Sequence, residues 1–304
     1  KNMSKENTAV TKKKIKRCKE DVVFDAACFI ILTLVLFVVA YPLYWVIISS
    51  ISAPSAVSSG KVLLHPIGFT LKGYAEVFKN DQVMRGFLNS LIITFCGVMV
   101  NLIVTLPTSY ALSRSNFSGK KPITIFYLIT MFFGGGLIPT YLVIQRLQML
   151  NTIWALILPG CLSVYNMIVA RTFFKSNISE ELYEAAEIDG CTQARFFFQI
   201  ALPLSKAIIA ILVLYYGVGH WNSYFSALVY ISDKAKYPLQ LVLRNILITN
   251  QTALSQTATT AAARAALQEK QQLIDVMKYS LIIISSIPVL VMYPLVQKHF
   301  VKGV

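Results

Sequence analysis

The chain is organised around long apolar stretches that contain no Asp, Glu, Lys or Arg. A membrane-spanning helix needs about 20 mostly apolar residues, whereas a membrane-spanning strand alternates polar and apolar residues over about ten positions. The stretches have helix length and do not alternate, so they predict membrane-spanning helices. Six such windows occur: Ala26–Ile51, Gly86–Leu112, Pro122–Gln145, Leu147–Ala170, Ala207–Ser232 and Tyr279–Gln297.

The composition supports a membrane protein. Of the 304 residues, 56% are hydrophobic and only 14% are charged, against about 45–50% and about 25% in soluble domains. The first window is longer than the apolar core of a secretory signal peptide, and no cleavage pattern follows it. We therefore expect an all-α integral membrane protein with six transmembrane helices and a retained first span.

The net charge of +14 is concentrated partly in a basic cluster before the first window, Lys12-Lys13-Lys14-Ile15-Lys16-Arg17. Such a cluster is typical of a cytoplasmic segment held against anionic lipid. A nucleic-acid-binding arm is disfavoured because no interleaved aromatic residues accompany it. The prediction is a cytoplasmic tail over residues 1–25, a transmembrane domain over residues 26–304, and both termini inside the cell.

Catalytic and metal-binding patterns are missing from the sequence. His220 is the only His, Asp, Glu, Lys or Arg inside the six windows, whereas ion-coupled carriers usually keep such a residue for the coupling ion. A lone His is more often a structural hydrogen-bonding residue than a relay. No P-loop and no hydrolase motif occurs, and the five cysteines form no metal or disulfide pattern. We expect no catalytic residue, no metal and no cofactor on this chain.

The segment between the fourth and fifth windows carries a dense group of acidic residues. Asn177 followed three residues later by Glu180 is typical of a helix start, and Gly190 is typical of a left-handed helix stop. Pro203 is predicted in the first turn of the fifth span, where its missing N–H costs nothing. The segment therefore predicts a short helix between two spans.

This helix is predicted to be amphipathic. A helix advances about 100° per residue. One face is therefore acidic and carries Glu180, Glu184 and Glu187. The opposite face is apolar and carries Leu182, Ala185 and Ala186. A helix that lies on lipid usually has a basic polar face. The acidic face indicates a basic protein partner instead.

The residues of this loop resemble those of a known family. Seven positions in twenty match the EAA loop of binding-protein-dependent ABC transporter permeases: Glu184, Ala185, Ala186, Gly190, Ile200, Leu202 and Pro203. With Asp189, these are the ATPase-coupling residues that the resemblance implies, within a coupling loop over residues 177–203. The resemblance also implies the type I importer permease fold, a second permease, two ATP-binding subunits that carry ATP and Mg²⁺, and an extracellular solute-binding protein. It places the chain in the bacterial cell membrane.

The sugar-importing branch of the family is similar in three places. Ile188-Asp189-Gly190, the string from Gly219 to Leu228, and Phe133–Thr140 resemble maltose-type and complex-oligosaccharide permeases. A permease for amino acids or peptides and an ion-coupled carrier remain alternatives. Trp221, Asn222 and Tyr224 could line the sugar path, since rings pack on sugar faces and amides bond to hydroxyls. Packing between spans, with Trp221 as a packing residue and Asn222 as an interhelical one, is the favoured interpretation.

The run Gly134-Gly135-Gly136 lies inside the third window. Small residues in a membrane helix usually allow close packing of a neighbouring helix. A conformational hinge is the second interpretation. Close packing is the expectation.

Overall fold

The computed structural model describes residues 19–253 and 261–300, except for the side chains of residues 249–253, 261–270, 295, 296 and 298–300. All regular elements among the described residues are helical, which confirms the all-α class. The α-helices are α1 (Lys19–Ser50), α2 (Pro54–Ser58), α3 (Lys72–Lys79), α4 (Asp81–Ser113), α5 (Lys120–Phe132), α6 (Leu137–Arg146), α7 (Trp154–Ile157), α8 (Val164–Asn177), α9 (Glu180–Ile188), α10 (Gln193–Phe196), α11 (Leu202–Leu204), α12 (Lys206–Trp221), α13 (Tyr224–Tyr230), α14 (Leu239–Ala253) and α15 (Ala261–Phe300). Short 3₁₀ turns cover Leu158–Gly160 and Lys234–Lys236, and a π-helical turn covers Phe197–Ala201.

In the part of the chain that the structure describes, three helices are continuous and apolar over a length sufficient to cross a membrane, namely α1, α4 and a part of α15, Gln271–Pro294. Three further candidates are bent pairs: α5 with α6, Trp154–Gly160 with α8, and Gln193–Leu204 with α12. Counting each pair as one span gives up to six by length and composition. The number of spans and their orientation remain predictions.

Helix α4 lies at the centre of the bundle and packs against α8, α12 and α14. Its buried face carries small and polar residues at four-residue intervals: Gly97, Asn101, Thr105 and Ser109. Side chains four apart share one face of a helix. This face makes hydrogen bonds to two neighbouring helices, so polar contacts as well as apolar packing hold the bundle together.

The break in the fourth span is stabilised by these polar side chains. The Asn101 amide donates to the carbonyl oxygen of Gly160 at 2.7 Å, and the Ser163 N–H donates to the Tyr216 hydroxyl at 3.2 Å. Tyr216 is also hydrogen-bonded to Thr105 at 2.7 Å. Backbone groups released by a helix break at membrane depth must find partners inside the protein. Here α4 and α12 provide them.

His220 is a structural residue of the same network. Its Nε2 lies 2.7 Å from the Asn101 Oδ1, and because a carbonyl oxygen only accepts, Nε2 donates. A Cβ at Gly97 would lie 2.5 Å from the imidazole, so the glycine makes room for the ring. The structure thereby supports the hydrogen-bonding interpretation of His220.

The three glycines of the third window interrupt the helix instead of allowing a neighbouring helix to pack closely against it. Helices α5 and α6 meet at 114°, and Gly136 has a φ of +85°. A Cβ at Gly134 or Gly136 would find no atom within 4 Å. The expectation of close helix packing was wrong for the described residues.

Hydrogen bonds place the two ends of this bent pair at opposite ends of the bundle. Lys120 donates to the carbonyl of Ser115, beside α9, at 2.8 Å. Beyond α6, Asn151 accepts from the N–H of Asp233 and the ammonium of Lys236 at 3.1 and 2.9 Å. We call these two ends of the bundle the α9 end and the opposite end.

Several predicted boundaries differ from the structure. Most of the predicted tail, residues 1–18, lies outside the described residues, and Lys19–Asp25 already belong to α1. The fifth span begins as a helix at Lys206 after a bend of 80°, so Pro203 lies in the short helix before it. The fifth window is also interrupted at Asn222 and Ser223, which separate α12 from α13.

Candidate functional site

The acidic helix predicted from the sequence is α9, and its two ends are fixed by local hydrogen bonds. It begins one residue after Ser179, whose hydroxyl accepts from the Leu182 N–H. Asn177 is the last residue of α8, so the predicted start was two residues early. A serine before the first helical residue satisfies an otherwise free N–H.

The C-terminus of α9 explains two of the motif residues. Gly190 has a φ of +76°, and its N–H donates to the Glu187 carbonyl at 3.0 Å, while the Cys191 N–H donates to the Ala186 carbonyl at 2.9 Å. This bond pair is a Schellman motif, which requires a left-handed residue. The predicted left-handed stop at Gly190 is confirmed, with Asp189 as the exposed residue that caps the helix.

The face of α9 that packs against the bundle is not the one that the amphipathic pattern predicted. Tyr183 is the buried residue, and Glu180 and Ala186 are half-buried beside it. Leu182 and Ala185 are exposed. The predicted apolar face therefore turns partly away from the bundle, and the predicted acidic face is divided, since Glu184 and Glu187 are exposed while Glu180 turns inward.

The exposed side of α9 combines apolar and acidic groups. Ile188 is 87% exposed, and Leu182 is 38% exposed. Glu184 lies one residue before the exposed Ala185. Exposed apolar residues rimmed by charged ones are typical of a protein-interaction surface. We call Leu182, Glu184, Ala185, Glu187 and Ile188 the α9 surface.

An ion pair holds the N-terminus of α9 to α4. Arg114, which follows the last residue of α4, is only 4% exposed and pairs with the Glu180 carboxylate. The Ser115 N–H donates to the same carboxylate at 3.1 Å. The guanidinium also lies over the Tyr183 ring at 4.8 Å. A buried guanidinium requires such partners, because an unpaired buried charge is costly.

The pKa of Glu180 is lowered by this environment. Partial burial acts to raise it, but hydrogen bonds from Ser115 and the charge of Arg114 outweigh burial. Glu180 is therefore ionised at neutral pH and accepts from both groups. Sequence reasoning did not identify Arg114 as part of the site, because its partner lies 66 residues away.

An aromatic cluster continues the contact from α9 into the bundle. Tyr183 packs edge-on against Phe196, with ring centroids 5.3 Å apart. The Tyr110 ring of α4 lies 5.0 Å from Phe197 and 5.7 Å from Phe174. Rings in these arrangements stabilise each other beyond the area that they bury. The cluster thus connects α9 through Phe196 of α10 to Tyr110 of α4 and Phe174 of α8.

The remaining motif residues lie in the segment that leads to the fifth span. Ile200 and Leu202 are half-buried and pack against this aromatic cluster and its neighbours. Pro203 is exposed in α11. These positions fix the segment between α9 and α12 to the bundle.

The predicted sugar-path residues lie in two different environments. Trp221 is 2% exposed; its indole N–H donates to the Ser285 carbonyl at 2.9 Å, and its ring packs against Phe87 at 5.7 Å. The ring therefore packs between α4, α12 and α15. A direct contact of Trp221 with sugar stays a prediction that this conformation does not favour.

Asn222 and Tyr224 are exposed beside the break between α12 and α13. The Asn222 amide N–H donates to the Val218 carbonyl at 3.0 Å. The Asn222 side-chain oxygen accepts from the Gln240 amide at 3.4 Å. Both side chains can be reached by a ligand, and their role in the sugar path stays a prediction. Among the described residues, no group of three or more His, Cys, Asp or Glu side chains could hold a metal ion.

Comparison with known proteins gives a family match. A family model described as "binding-protein-dependent transport system inner membrane component" matches residues 75–303. That range covers α4 to α15 and the whole α9 region.

Relatives are similar over most of the chain. The polygalacturonan/rhamnogalacturonan transport system permease protein YtcP of Bacillus subtilis is 35% identical over 92% of this chain and 96% of the relative. Protein LplC of the same organism is 38% identical over 92% of both chains. The galactooligosaccharides transport system permease protein GanQ of Bacillus subtilis is 29% identical over 90% of this chain and 92% of the relative.

A solved structure has the same fold. It is a crystal structure of a bacterial ABC transporter involved in the import of the acidic polysaccharide alginate. One of its chains superposes with a TM-score of 0.84 and 27% identity, over 94% of this chain and 99% of that chain.

Proposed function

The chain belongs to the inner-membrane components of binding-protein-dependent transport systems, and from this membership we propose that it is a membrane-spanning subunit of an ATP-driven importer of oligosaccharides. It is an integral membrane protein with the ABC importer permease fold. Relatives named for sugar chains of several kinds support sugar as the substrate class.

The α9 surface carries this proposal. It leaves apolar side chains, above all Ile188, in the solvent at one end of the bundle while Tyr183 anchors the helix from behind. An ATPase subunit with a matching cleft would cover the apolar residues and pair with Glu184. Movement of the ATPase would then reach α4 through the aromatic cluster.

The proposed assembly contains four further subunits. A second permease of the same fold would complete the passage, and two ATP-binding subunits would hold ATP and Mg²⁺ on the cytoplasmic side. An extracellular binding protein would deliver the sugar to the opposite end. This chain itself would bind no cofactor and catalyse no reaction.

The broken third span supports a passage in this part of the chain. Helix α5 rises about 20 Å over its 13 residues, so its break lies within a hydrocarbon core of about 30 Å. Among the described residues, no hydrogen bond occupies the N–H groups of Gly134, Gly135 or Gly136. Non-helical backbone at this depth is tolerated only against protein or beside water. The glycines would therefore either contact the second permease or border the path, for which Asn222 and Tyr224 are further candidates.

A permease for amino acids or peptides is the second candidate. The names of the relatives favour sugar, since YtcP and GanQ are both named for sugar chains. An ion-coupled carrier is disfavoured because His220 is held in a structural hydrogen bond.

The substitution Glu184→Lys tests the proposed coupling role. It should detach the ATPase or uncouple ATP hydrolysis from sugar uptake, because it reverses the charge of an exposed group on the α9 surface. The measurement is ATP hydrolysed per oligosaccharide imported, in proteoliposomes that contain the complete transporter. We expect this ratio to increase, because hydrolysis would continue without the contact that couples it to α9.

A matched control is Glu76→Lys, which makes the same charge reversal at the opposite end, where Glu76 pairs with Lys79. The control should leave the ratio of hydrolysis to uptake unchanged. Normal coupling in Glu184→Lys would contradict the proposed role of the α9 surface.

A further inference from the structure

A cavity of about 400 Å³ lies at the end of the bundle opposite α9. Its walls come from the start of α4, the turn at Lys234, helix α14 and helix α15. Ligand sites in proteins are clefts of about 300–1,000 Å³, so the cavity has room for a small ligand. The α9 surface lies about 50 Å away, the length of α4 with its 33 residues.

Four side chains in the cavity wall make no side-chain hydrogen bond to another described residue: Gln82, Lys234, Tyr237 and Asn245. Gln82 and Lys234 are exposed, and Tyr237 and Asn245 are half-buried. The oxygen of the fifth polar side chain in the wall, Asn80, is occupied, since it accepts from the N–H groups of Gln82 and Val83 at 3.0 and 3.3 Å. The four free groups provide two amides, one hydroxyl and one ammonium. They converge on one volume, as the polar groups of a binding site do.

The chemistry of the wall selects a class of ligand. Amides and a hydroxyl both donate and accept hydrogen bonds, which suits sugar hydroxyl groups. Met277 and Ile246 provide an apolar surface for the C–H face of a sugar ring. Lys234 is the one charged residue in the described wall, and no carboxylate opposes it there. The wall therefore favours a ligand with hydroxyl groups and a negative charge.

We propose that this cavity, the Lys234 cavity, binds an acidic sugar unit of the incoming oligosaccharide, with the Lys234 ammonium paired to the sugar carboxylate. The proposal rests on the proposed function and narrows its substrate class to oligosaccharides that contain uronic acid. Under the predicted orientation the cavity faces the outside, so it receives the substrate before the passage does. Gln82, Tyr237 and Asn245 bond to the hydroxyl groups.

The test uses tri-galacturonate and its methyl ester, which has the same sugar chain without the charges. Binding of each is measured by calorimetry to the assembled membrane complex, with the permeases and ATPases present and the binding protein omitted. The native complex should bind the acid more tightly. Lys234→Gln should weaken binding of the acid by up to about fivefold and leave binding of the ester unchanged, since only a solvent-exposed charge pair is lost.

Two further variants separate the charge from the cavity as a whole. Asn245→Ala should weaken binding of both sugars, because it removes a hydrogen-bonding group that does not discriminate charge. Lys61→Gln, a substitution of another exposed lysine at the opposite end, should change neither. Equal binding of acid and ester by the native complex would overturn the proposal. It would also be overturned if the Lys234→Gln variant bound the acid with native affinity but failed to bind the extracellular binding protein.

Uptake by the complete native transporter separates this proposal from the proposed function. Import of the methyl ester with rejection of the acid would overturn the Lys234 cavity as an acidic-sugar site and leave the sugar importer standing. Import of amino acids or peptides, with rejection of every oligosaccharide tried, would refute the proposed function itself.

Discussion

Single residues at the two termini of α9 fix the helix by different means. Arg114 and Glu180 form a partly buried ion pair at its start, and Gly190 ends it through backbone geometry. Because the folded-state pKa of Glu180 is lowered, the pair stabilises the docked helix fully above the ordinary glutamate pKa. This stabilisation is lost as the pH falls through the lowered value. Gly190 stabilises the helix end independently of pH.

Gly190→Ala should loosen the end of α9 without any steric clash. A Cβ there would meet no atom within 4 Å, so the cost is the left-handed backbone alone, about 1–2 kcal/mol. We expect more ATP hydrolysed per sugar imported, because the α9 surface would be less well ordered. Gly190→Asn should have a smaller effect, since Asn tolerates this conformation.

Gly60 offers a matched control for this substitution. It has a φ of +70° and an equally open Cβ position, and it ends α2 with the same pair of hydrogen bonds. Gly60→Ala should therefore carry the same backbone cost far from α9. If both variants uncouple the transporter equally, the effect is general destabilisation and the special role of Gly190 is refuted.

The sequence predicted the C-terminal end of α9 more accurately than it predicted which face of α9 packs against the bundle. A left-handed stop is a local property, and Gly190 alone was sufficient to predict it. The buried face was predicted incorrectly because apolar residues on α9 lie on two sides. Tyr183 packs on the bundle, and Leu182 and Ile188 remain exposed. An amphipathic pattern cannot tell which apolar face meets the same chain and which would meet a partner.

Helix α4 holds the bundle together through the polar residues on its buried face. Asn101 and Thr105 are completely buried and bond to groups on the fourth and fifth spans. Side-chain hydrogen bonds between membrane helices contribute about 0.6 kcal/mol each on average. The contacts of Asn101 also satisfy the Gly160 carbonyl, which the break in the fourth span leaves without a helical partner.

Asn101→Leu should destabilise the bundle by about 1–3 kcal/mol, since it leaves the Gly160 carbonyl and the His220 ring without partners. The measurement is the melting temperature of the assembled complex. His220→Gln should be milder, because the glutamine amide can still donate to Asn101. Ile103→Leu, an exposed position on the same helix, should leave the melting temperature unchanged, and an unchanged value for Asn101→Leu would refute this account of the break.

The apolar windows predicted where the spans lie, but they did not show which spans are continuous helices and which are broken. The windows for α1, α4 and α15 coincide with long helices, whereas the third, fourth and fifth windows are interrupted although they are just as free of charged residues. The break at Asn222 and Ser223 carries no Gly or Pro that would indicate it. The glycine run of the third window was interpreted as packing, since sequence alone does not show whether a neighbouring helix approaches.

At the scale of the whole molecule, the two ends of the bundle differ in chemistry. The α9 end has an exposed apolar and acidic surface, whereas the opposite end has the Lys234 cavity with its free polar groups. The bent pair of α5 and α6 connects the two ends, as the contacts of Lys120 and Asn151 indicate. The alternative is a pair that enters the membrane and returns to the same side.

Labelling of single cysteines distinguishes these two topologies. In a variant without native cysteines, Lys234→Cys and Leu147→Cys should both react with a membrane-impermeant thiol reagent added outside intact cells. Leu147 is exposed just after α6, so its label reports the end of the pair. Asp189→Cys, at the end of α9, should react only after the membrane is permeabilised.

If Leu147→Cys instead behaves like Asp189→Cys, the pair returns to the cytoplasmic side, and the prediction of six spans is wrong. If Asp189→Cys is labelled from outside while Lys234→Cys is protected, the orientation is reversed, and α9 cannot meet a cytoplasmic ATPase.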